Sequence, residues 1–325
     1  MPIDDSDGQA ISNGHAIFDG RPISNGHSFA NGHAGPNGLS KMPRRVRGPE
    51  PLTRKVKRRD ELSIIIGPIF VLLLDLAVPC IIYYVTLRSY PGTPVFEQGS
   101  LGYTIISFGI GELGILIVRV YRLFRRPQRY APLLSKSRWE LDATAWVYGT
   151  ALLVALIPFV VSTSIDNKEP WLFLYAPAFL IAYLWICAIV TLVPFKVPVR
   201  IDSEPAGSRL YPLVYYAAED FMAVDAVQGR EFRVRYRARY RESPMFRQMI
   251  RDLNLFWIGG CTVYLGCVSA VVWNLSFEFA FGVTLGVLFF WVILWAFLTW
   301  VWVQLALIRE ARWYRKRSIK SRLEG

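Results

Sequence analysis

Histidine is nearly missing from this chain: only His15, His27 and His33 occur, all close to the N-terminus. Haem-binding bundles, di-iron oxygenases with histidine boxes and intramembrane zinc enzymes need histidine within or beside their membrane helices, so none of them can be built here. Cysteine is scarce too. Cys80, Cys187, Cys261 and Cys267 fall inside apolar stretches, where a thiol behaves as a small hydrophobe, and no structural disulfide is expected. No catalytic or cofactor motif of recognised spacing occurs, and neither a cofactor nor a metal is expected. No cleavable signal peptide is visible, since the first sixty or so residues are polar, so the first apolar span itself should direct insertion.

What the chain has instead is hydrocarbon in blocks. Hydrophobic residues make up 53% of it and charged residues 19%. The apolar ones are segregated into six stretches: Leu62 to Leu87, Leu101 to Phe124, Leu141 to Val161, Trp171 to Phe195, Leu253 to Trp273 and Phe277 to Ile308. Each meets the ~20 residues that a helix needs to cross ~30 Å of lipid. A helix is required because backbone polar groups in lipid must bond within their own segment. The sequence therefore predicts an all-α polytopic membrane bundle of six transmembrane helices.

Orientation follows from the cations. From Lys41 onward, 34 lysines and arginines fall in segments that would share one side of the membrane, against Arg88 and Lys168 on the other. The positive-inside rule then places the N-terminus and the C-terminus in the cytosol, and an integral membrane protein of the secretory pathway is expected, with the organelle open. The net charge of +12 has the same origin, because the cations hug the ends of the spans, and no nucleic acid is expected as a partner.

Residues 1–60 lack periodicity and repeat Asn-Gly-His three times, a composition that cannot bury enough apolar surface to offset ordering, so a disordered tail is expected. A weak metal-chelating role for these histidines is the less economical reading, since their spacing matches no ligand geometry. Lys41 to Arg59 carries nine cations against one acid, and Arg119 to Arg138 carries seven with none. Both should lie against anionic headgroups, at ~1 kcal/mol per charge; the plainer alternative is that they only set orientation. Residues 309–325 form a basic cytosolic tail. Asn274-Leu-Ser276 is formally a glycosylation sequon, but in a turn against the membrane it should stay unmodified.

Asp75 and Glu112 are the acids deepest in the spans, 12 and 11 residues from the outer ends Leu87 and Leu101, or ~17 Å down. Charges at that depth are expensive unless paired, neutralised or facing water, which makes these two the catalytic or proton-site candidates. Two close carboxylates would share one proton. Pro79 lacks the N–H that would bond the Asp75 carbonyl and leaves an extra acceptor there. The plainer alternative is a protonated acid bonding between helices for packing, with Arg119 as another partner for Glu112.

The connection 196–252 is too long and too mixed for a turn and should be folded. Tyr211 to Asp225 reads as a helix, on which Glu219, Asp220 and Asp225 could hold Mg²⁺ for a diphosphate substrate, although pairing with nearby arginines is simpler. After Gly229, arginine occupies alternate positions: Arg233, Arg235, Arg237, Arg239 and Arg241, preceded by Arg230. As a strand this has one basic face. As a helix, Phe232, Tyr236 and Tyr240 make an aromatic stripe flanked by arginines, the pattern of an interfacial helix on anionic lipid. The helix is preferred, because Ser243-Pro244 then caps a further helix leading into the fifth span. Trp291, Trp295, Leu298 and Trp302 share one face of the last span, a packing stripe, and Gly282 with Gly286 makes a small-xxx-small pair.

The segments Val197-Pro-Val-Arg200, Ser203-Glu-Pro-Ala-Gly207, Tyr215 to Asp225, Gly229-Arg-Glu-Phe-Arg233 and Ser243-Pro-Met-Phe-Arg247 resemble a family of fungal multi-pass membrane proteins, over about residue 56 to the tail. The resemblance implies a fungal source, a polytopic fold and a place near lipid or secondary-metabolite pathways, and it carries over no catalytic residue. Three functions compete. One is a non-catalytic component docking anionic lipid headgroups, protein partners or a second copy of itself. The others are a membrane enzyme acting on a hydrophobic or prenylated intermediate, and a small proton- or cation-coupled transporter using Asp75 and Glu112.

Overall fold

The computed structural model describes residues 51–54, 66–90, 100–164 and 170–323, with side chains of 100–109, 163–164, 170 and 321–323 excepted. These residues all belong to one compact unit, Arg45–Gly325. Most of the expected tail over 1–60, most of the Lys41 to Arg59 basic segment and most of the connections 88–100 and 162–170 lie outside the described residues; within the expected tail, Arg54 is bonded to Gln228 and the Leu52 carbonyl to Arg235.

Among the described residues the fold is all-helical, with only two isolated backbone bridges, Lys196 to Arg209 and Ile201 to Glu204. We number the helices α1 (Ile66–Ser89), α2 (Ser100–Arg125), α3 (Pro127–Tyr130), α4 (Ala143–Ser164), α5 (Pro170–Leu174), α6 (Ala176–Val190), α7 (Leu213–Asp220), α8 (Gly229–Glu242), α9 (Pro244–Asn274) and α10 (Phe277–Leu323). Four of them, α1, α4, α9 and α10, are long and apolar enough to cross a membrane. Their outward faces carry large apolar side chains, among them Trp273 at 81% exposure and Phe290 at 69%. A monomer in water does not tolerate that much contiguous apolar surface, whereas lipid does.

The fourth expected span differs in detail. It breaks at Tyr175 and ends at Val190 rather than Phe195. Pro177 explains the break, because its ring removes one N–H and crowds the carbonyl a turn earlier, and Pro194 disfavours helix in the residue before it. In α1 the helix widens to a π turn over Leu73–Ala77, closed by Val78 N–H to the Leu73 carbonyl. Pro79 follows directly, so the turn that cannot receive its N–H is the turn that holds Asp75.

Two cores form. Within the bundle, Tyr83 stacks on Phe281 at 4.2 Å, Phe159 meets Phe173 edge-on at 4.9 Å, and Tyr264 lies 5.1 Å from Trp291. The tryptophan stripe of α10 faces α9: Trp295 Nε1 donates to the Phe256 carbonyl at 3.2 Å, in space left open by Gly260, where any Cβ would strike the indole. Of the glycine pair, Gly282 receives the Tyr84 side chain, and Gly286 meets nothing.

The second core belongs to the connection between α6 and α9. Tyr215, Tyr216, Phe232, Tyr236, Tyr240, Phe246 and Ile250 are buried together, with Tyr215 and Tyr240 rings 4.5 Å apart. The expected cap is present. Ser243 Oγ accepts from Phe246 N–H at 3.2 Å with Pro244 at the first helical position, fixing the angle between α8 and α9.

Candidate functional site

At about 100° per residue, alternate positions on a helix step by about 200°, so an alternating arginine row divides onto two flanks. Arg233, Arg237 and Arg241 fall on one flank of α8, Arg235 and Arg239 on the other, and the aromatic stripe lies between them. The stripe faces inward: Phe232 and Tyr236 are 2% exposed and Tyr240 is 7%. Val234 and Ala238 form the outward face. The aromatic residues expected to meet lipid therefore pack on α7 and α9, since α7 offers Tyr215 and Tyr216 to cover them.

Both flanks meet acids or carbonyls of the protein itself. Arg233 is wholly buried, with Nη1 2.5 Å from Asp220 Oδ1 and 3.2 Å from Glu219 Oε1, and Nη2 donating to the Tyr130 carbonyl at 3.2 Å. Arg237 Nε reaches Glu204 Oε1 at 2.7 Å, and Arg241 reaches Glu204 Oε2 at 3.2 Å. On the other flank Arg235 donates to the Leu52 carbonyl, and Arg239 Nη2 lies 2.5 Å from Glu310 Oε2 on α10. Arg230 donates to the Leu133 carbonyl at 2.8 Å.

The centre of this network is the first turn of α4. Asp142 caps it, Oδ1 accepting from Ala145 N–H at 2.9 Å. Asp202 accepts from Ala143 N–H at 2.7 Å, and Asp220 from Thr144 N–H at 3.0 Å. Three carboxylates thus occupy one helix N-terminus, where the dipole and the open N–H groups favour negative charge. Arg119 from α2 closes the network, with Nη2 2.7 Å from Asp142 Oδ2 and Nη1 bonded to Asp225. A π turn over Phe221–Asp225 turns Asp225 toward it, and Val227 at φ 59° and Gly229 at φ 71° lead the chain into α8.

Arg119 is thus not the partner of Glu112. Glu219, Asp220 and Asp225 do not converge on an open Mg²⁺ position either, because guanidinium groups stand where the ion would, and no metal-holding cluster occurs among the described residues. The acids still outnumber the cations at the centre. Three guanidiniums, Arg119, Arg122 and Arg233, face Asp142, Asp202, Glu219, Asp220 and Asp225. Burial, helped by neighbouring Asp220, pushes the Glu219 carboxyl from the ordinary 4.5 up to about 7, against the lowering effect of Arg233. Burial also raises Asp202 and Asp225.

The membrane pair behaves differently. Asp75 is wholly buried against Gly111, where any Cβ would fall on its carboxylate, and neither of its oxygens has a hydrogen-bond partner among the described residues. Glu112 is half-buried on the same helix as Gly111. The two acids are brought to adjacent positions but are not bonded to each other. Neither the small apolar void lined by Pro79, Phe159 and Phe281 nor the cavity between α9 and α10 is lined by Asp75, Glu112, Glu219, Asp220 or Asp225.

Asp142, Asp202, Glu204 and Glu310 were not singled out by sequence. Asp142 had a readable signal, an acid directly before an apolar run, which marks a helix N-cap. Glu204 and Glu310 had none, since their partners are fixed only by the packing of distant segments.

A model of the family described as "Domain of unknown function (DUF8766)" matches residues 40–314, spanning both the bundle and the arginine network. The chain belongs to that family. No curated protein and no solved structure matches it.

Proposed function

We propose that the protein is a non-catalytic, six-crossing membrane component with both termini in the cytosol, whose module over residues 196–252 is clamped to the bundle and whose outer basic face docks anionic lipid headgroups. One observation carries this reading. The most arginine-rich helix has its cations bonded inward, so α8 is scaffold, while the outward cations lie beside exposed aromatics at the ends of spans. Arg125, Arg126 and Arg138 are exposed, as are the rings of Tyr121, Trp139 and Trp146, and Arg138 lies 5.3 Å over Trp139. On the charged end of α10, Arg317 lies 5.1 Å over Trp313 among exposed Arg312, Arg315 and Lys316. Cations and aromatic rings side by side at a span end suit the headgroup layer.

The fungal setting, the secretory-pathway membrane and the lipid or secondary-metabolite pathway implied by the sequence resemblance are part of this proposal, as is docking of a protein partner or a second copy. The enzyme reading is weaker because neither of the two cavities described above is lined by the candidate acids. The transporter reading has one observation in favour, the Asp75 carboxyl held within a π turn and without a hydrogen-bond partner among the described residues, a combination suited to taking up and releasing a proton.

The test is retention of anionic phospholipid by the detergent-purified protein, read by native mass spectrometry. Replacing Arg125, Arg126 and Arg138 by Gln should lower retention and its salt sensitivity, and replacing Arg233 should affect folding instead. Unchanged retention in the triple variant would remove the docking function.

A further inference from the structure

A cavity of about 260 Å³ opens between the first turns of α9 and the far end of the apolar part of α10. Its place along both helices is informative. On α9 the charged stretch ends at Asp252, and Leu253 begins an apolar run to Trp273. On α10 the apolar run ends at Ile308, and Arg309 is the first charge after Glu278. Asp252 and Arg309 both line the cavity. It therefore sits where each helix passes from hydrocarbon to headgroups.

Its walls divide in the same sense. Met249, Phe246, Trp302 and Ala306 supply the apolar side, and Trp302 leans on Phe256 at 5.4 Å while remaining 39% exposed toward the lipid-facing surface. The polar side has Asp252, Gln248 and Arg309. Glu310 is also there, but Arg239 from α8 holds it, and the guanidinium in turn lies 5.4 Å over the Phe246 ring. Asp252 and Arg309 take part in no ion pair among the described residues, with each other or with any other group. Charges of opposite sign on one cavity, left unpaired, can receive a ligand that carries both signs.

We propose that this cavity binds the headgroup of a zwitterionic phospholipid with a primary ammonium, the ammonium on Asp252 and the phosphate on Arg309. The side amide of Gln248 adds an acceptor for the second ammonium N–H, which a quaternary ammonium lacks. The volume falls just below the ~300–1,000 Å³ of sites that enclose a whole small molecule, so the headgroup fits and the acyl chains run out past Trp302 into the bilayer. The proposal rests on α9 and α10 crossing a membrane, and not on the anionic-lipid face.

The test uses full-length protein in detergent with phosphatidylethanolamine, phosphatidylcholine or phosphatidylserine of matched chains, read by native mass spectrometry and by thermal unfolding. Phosphatidylethanolamine should be retained in preference to phosphatidylcholine and should raise the melting temperature more than phosphatidylcholine does, while phosphatidylserine also reports on the anionic-lipid face. Asp252→Asn should weaken its retention about tenfold and abolish the preference over phosphatidylcholine, because a charge-assisted bond is lost. Arg309→Gln should weaken both zwitterionic lipids alike. Equal stabilisation of the unsubstituted protein by the three lipids would overturn the proposal without any variant, as would a preference that survives Asp252→Asn. Loss of the anionic-lipid effect in the Arg125, Arg126, Arg138 variant with the phosphatidylethanolamine preference intact would separate the two sites.

Discussion

Arg233 Nη1 and Asp220 Oδ1 lie 2.5 Å apart, and neither side chain reaches solvent. The bond joins α8 to α7, and Asp220 in turn bonds the first turn of α4, so one guanidinium ties the module to the bundle. Removing one partner of such a pair leaves the other charge buried without compensation, which typically costs 3–5 kcal/mol. Arg233→Met should therefore lower the unfolding free energy by about 3–5 kcal/mol, and Arg233→Lys should not rescue it, since an ammonium cannot reach Asp220, Glu219 and the Tyr130 carbonyl together. Arg241→Gln, at a half-exposed side chain, should cost under ~1 kcal/mol. Thermal and denaturant unfolding in detergent would rank the three.

Acid excess at the centre gives the fold a pH dependence of definite sign. Glu219 is raised from 4.5 unfolded to about 7 folded, so between those values the folded state binds more proton than the unfolded one. Stability then falls as pH rises through that window and levels off above it. Melting temperature should decline from about pH 5 to about pH 8, and Glu219→Gln, which stays neutral and can still accept from Arg233, should flatten the decline. Unfolding scans across pH check this, and a slope that is unchanged in the variant would remove Glu219 as its source.

Asp75 on Gly111 predicts a compensating pair. Gly111→Ala should destabilise by ~1–3 kcal/mol through overpacking, because the added methyl lands on the carboxylate. Asp75→Ala should relieve most of that cost, a coupling that a double-mutant cycle measures. Asp75→Asn should keep the fold, and any transport coupled to protons should vanish with it.

Much of the helix plan is legible in the sequence, and the reasons are local. Apolar runs, Ser243-Pro244 and the helical reading of Arg230 to Arg241 each depend on residues within a turn or two. The break at Tyr175 is also local, since Pro177 sits inside the fourth apolar stretch. What could not be read was the destination of the arginines. Their carboxylates come from distant segments, 106 residues away between Arg119 and Asp225, and an arginine row looks the same in sequence whether lipid phosphate or a buried aspartate answers it. The widened turns at Leu73–Ala77 and Phe221–Asp225 were likewise hidden, because nothing in composition distinguishes a π turn from its α neighbours.

Docking on anionic lipid predicts a salt signature apart from the fold. The Arg125, Arg126, Arg138 triple Gln variant should unfold within ~0.5 kcal/mol of the parent yet lose salt-dependent retention of phosphatidylserine, since surface charges contribute little to stability and much to headgroup attraction. Native mass spectrometry over a salt series checks it.

The most direct measurement is cysteine labelling along α8 in sealed membranes, on a background with Cys80, Cys187, Cys261 and Cys267 replaced. Cysteines at positions 234 and 238 should react with an impermeant maleimide only when the cytosolic face is open, and cysteines at 232, 236 and 240 should stay protected. Uniform reaction along the helix, or reaction from the lumenal side, would contradict both the inward-facing arginine helix and the placement of the module.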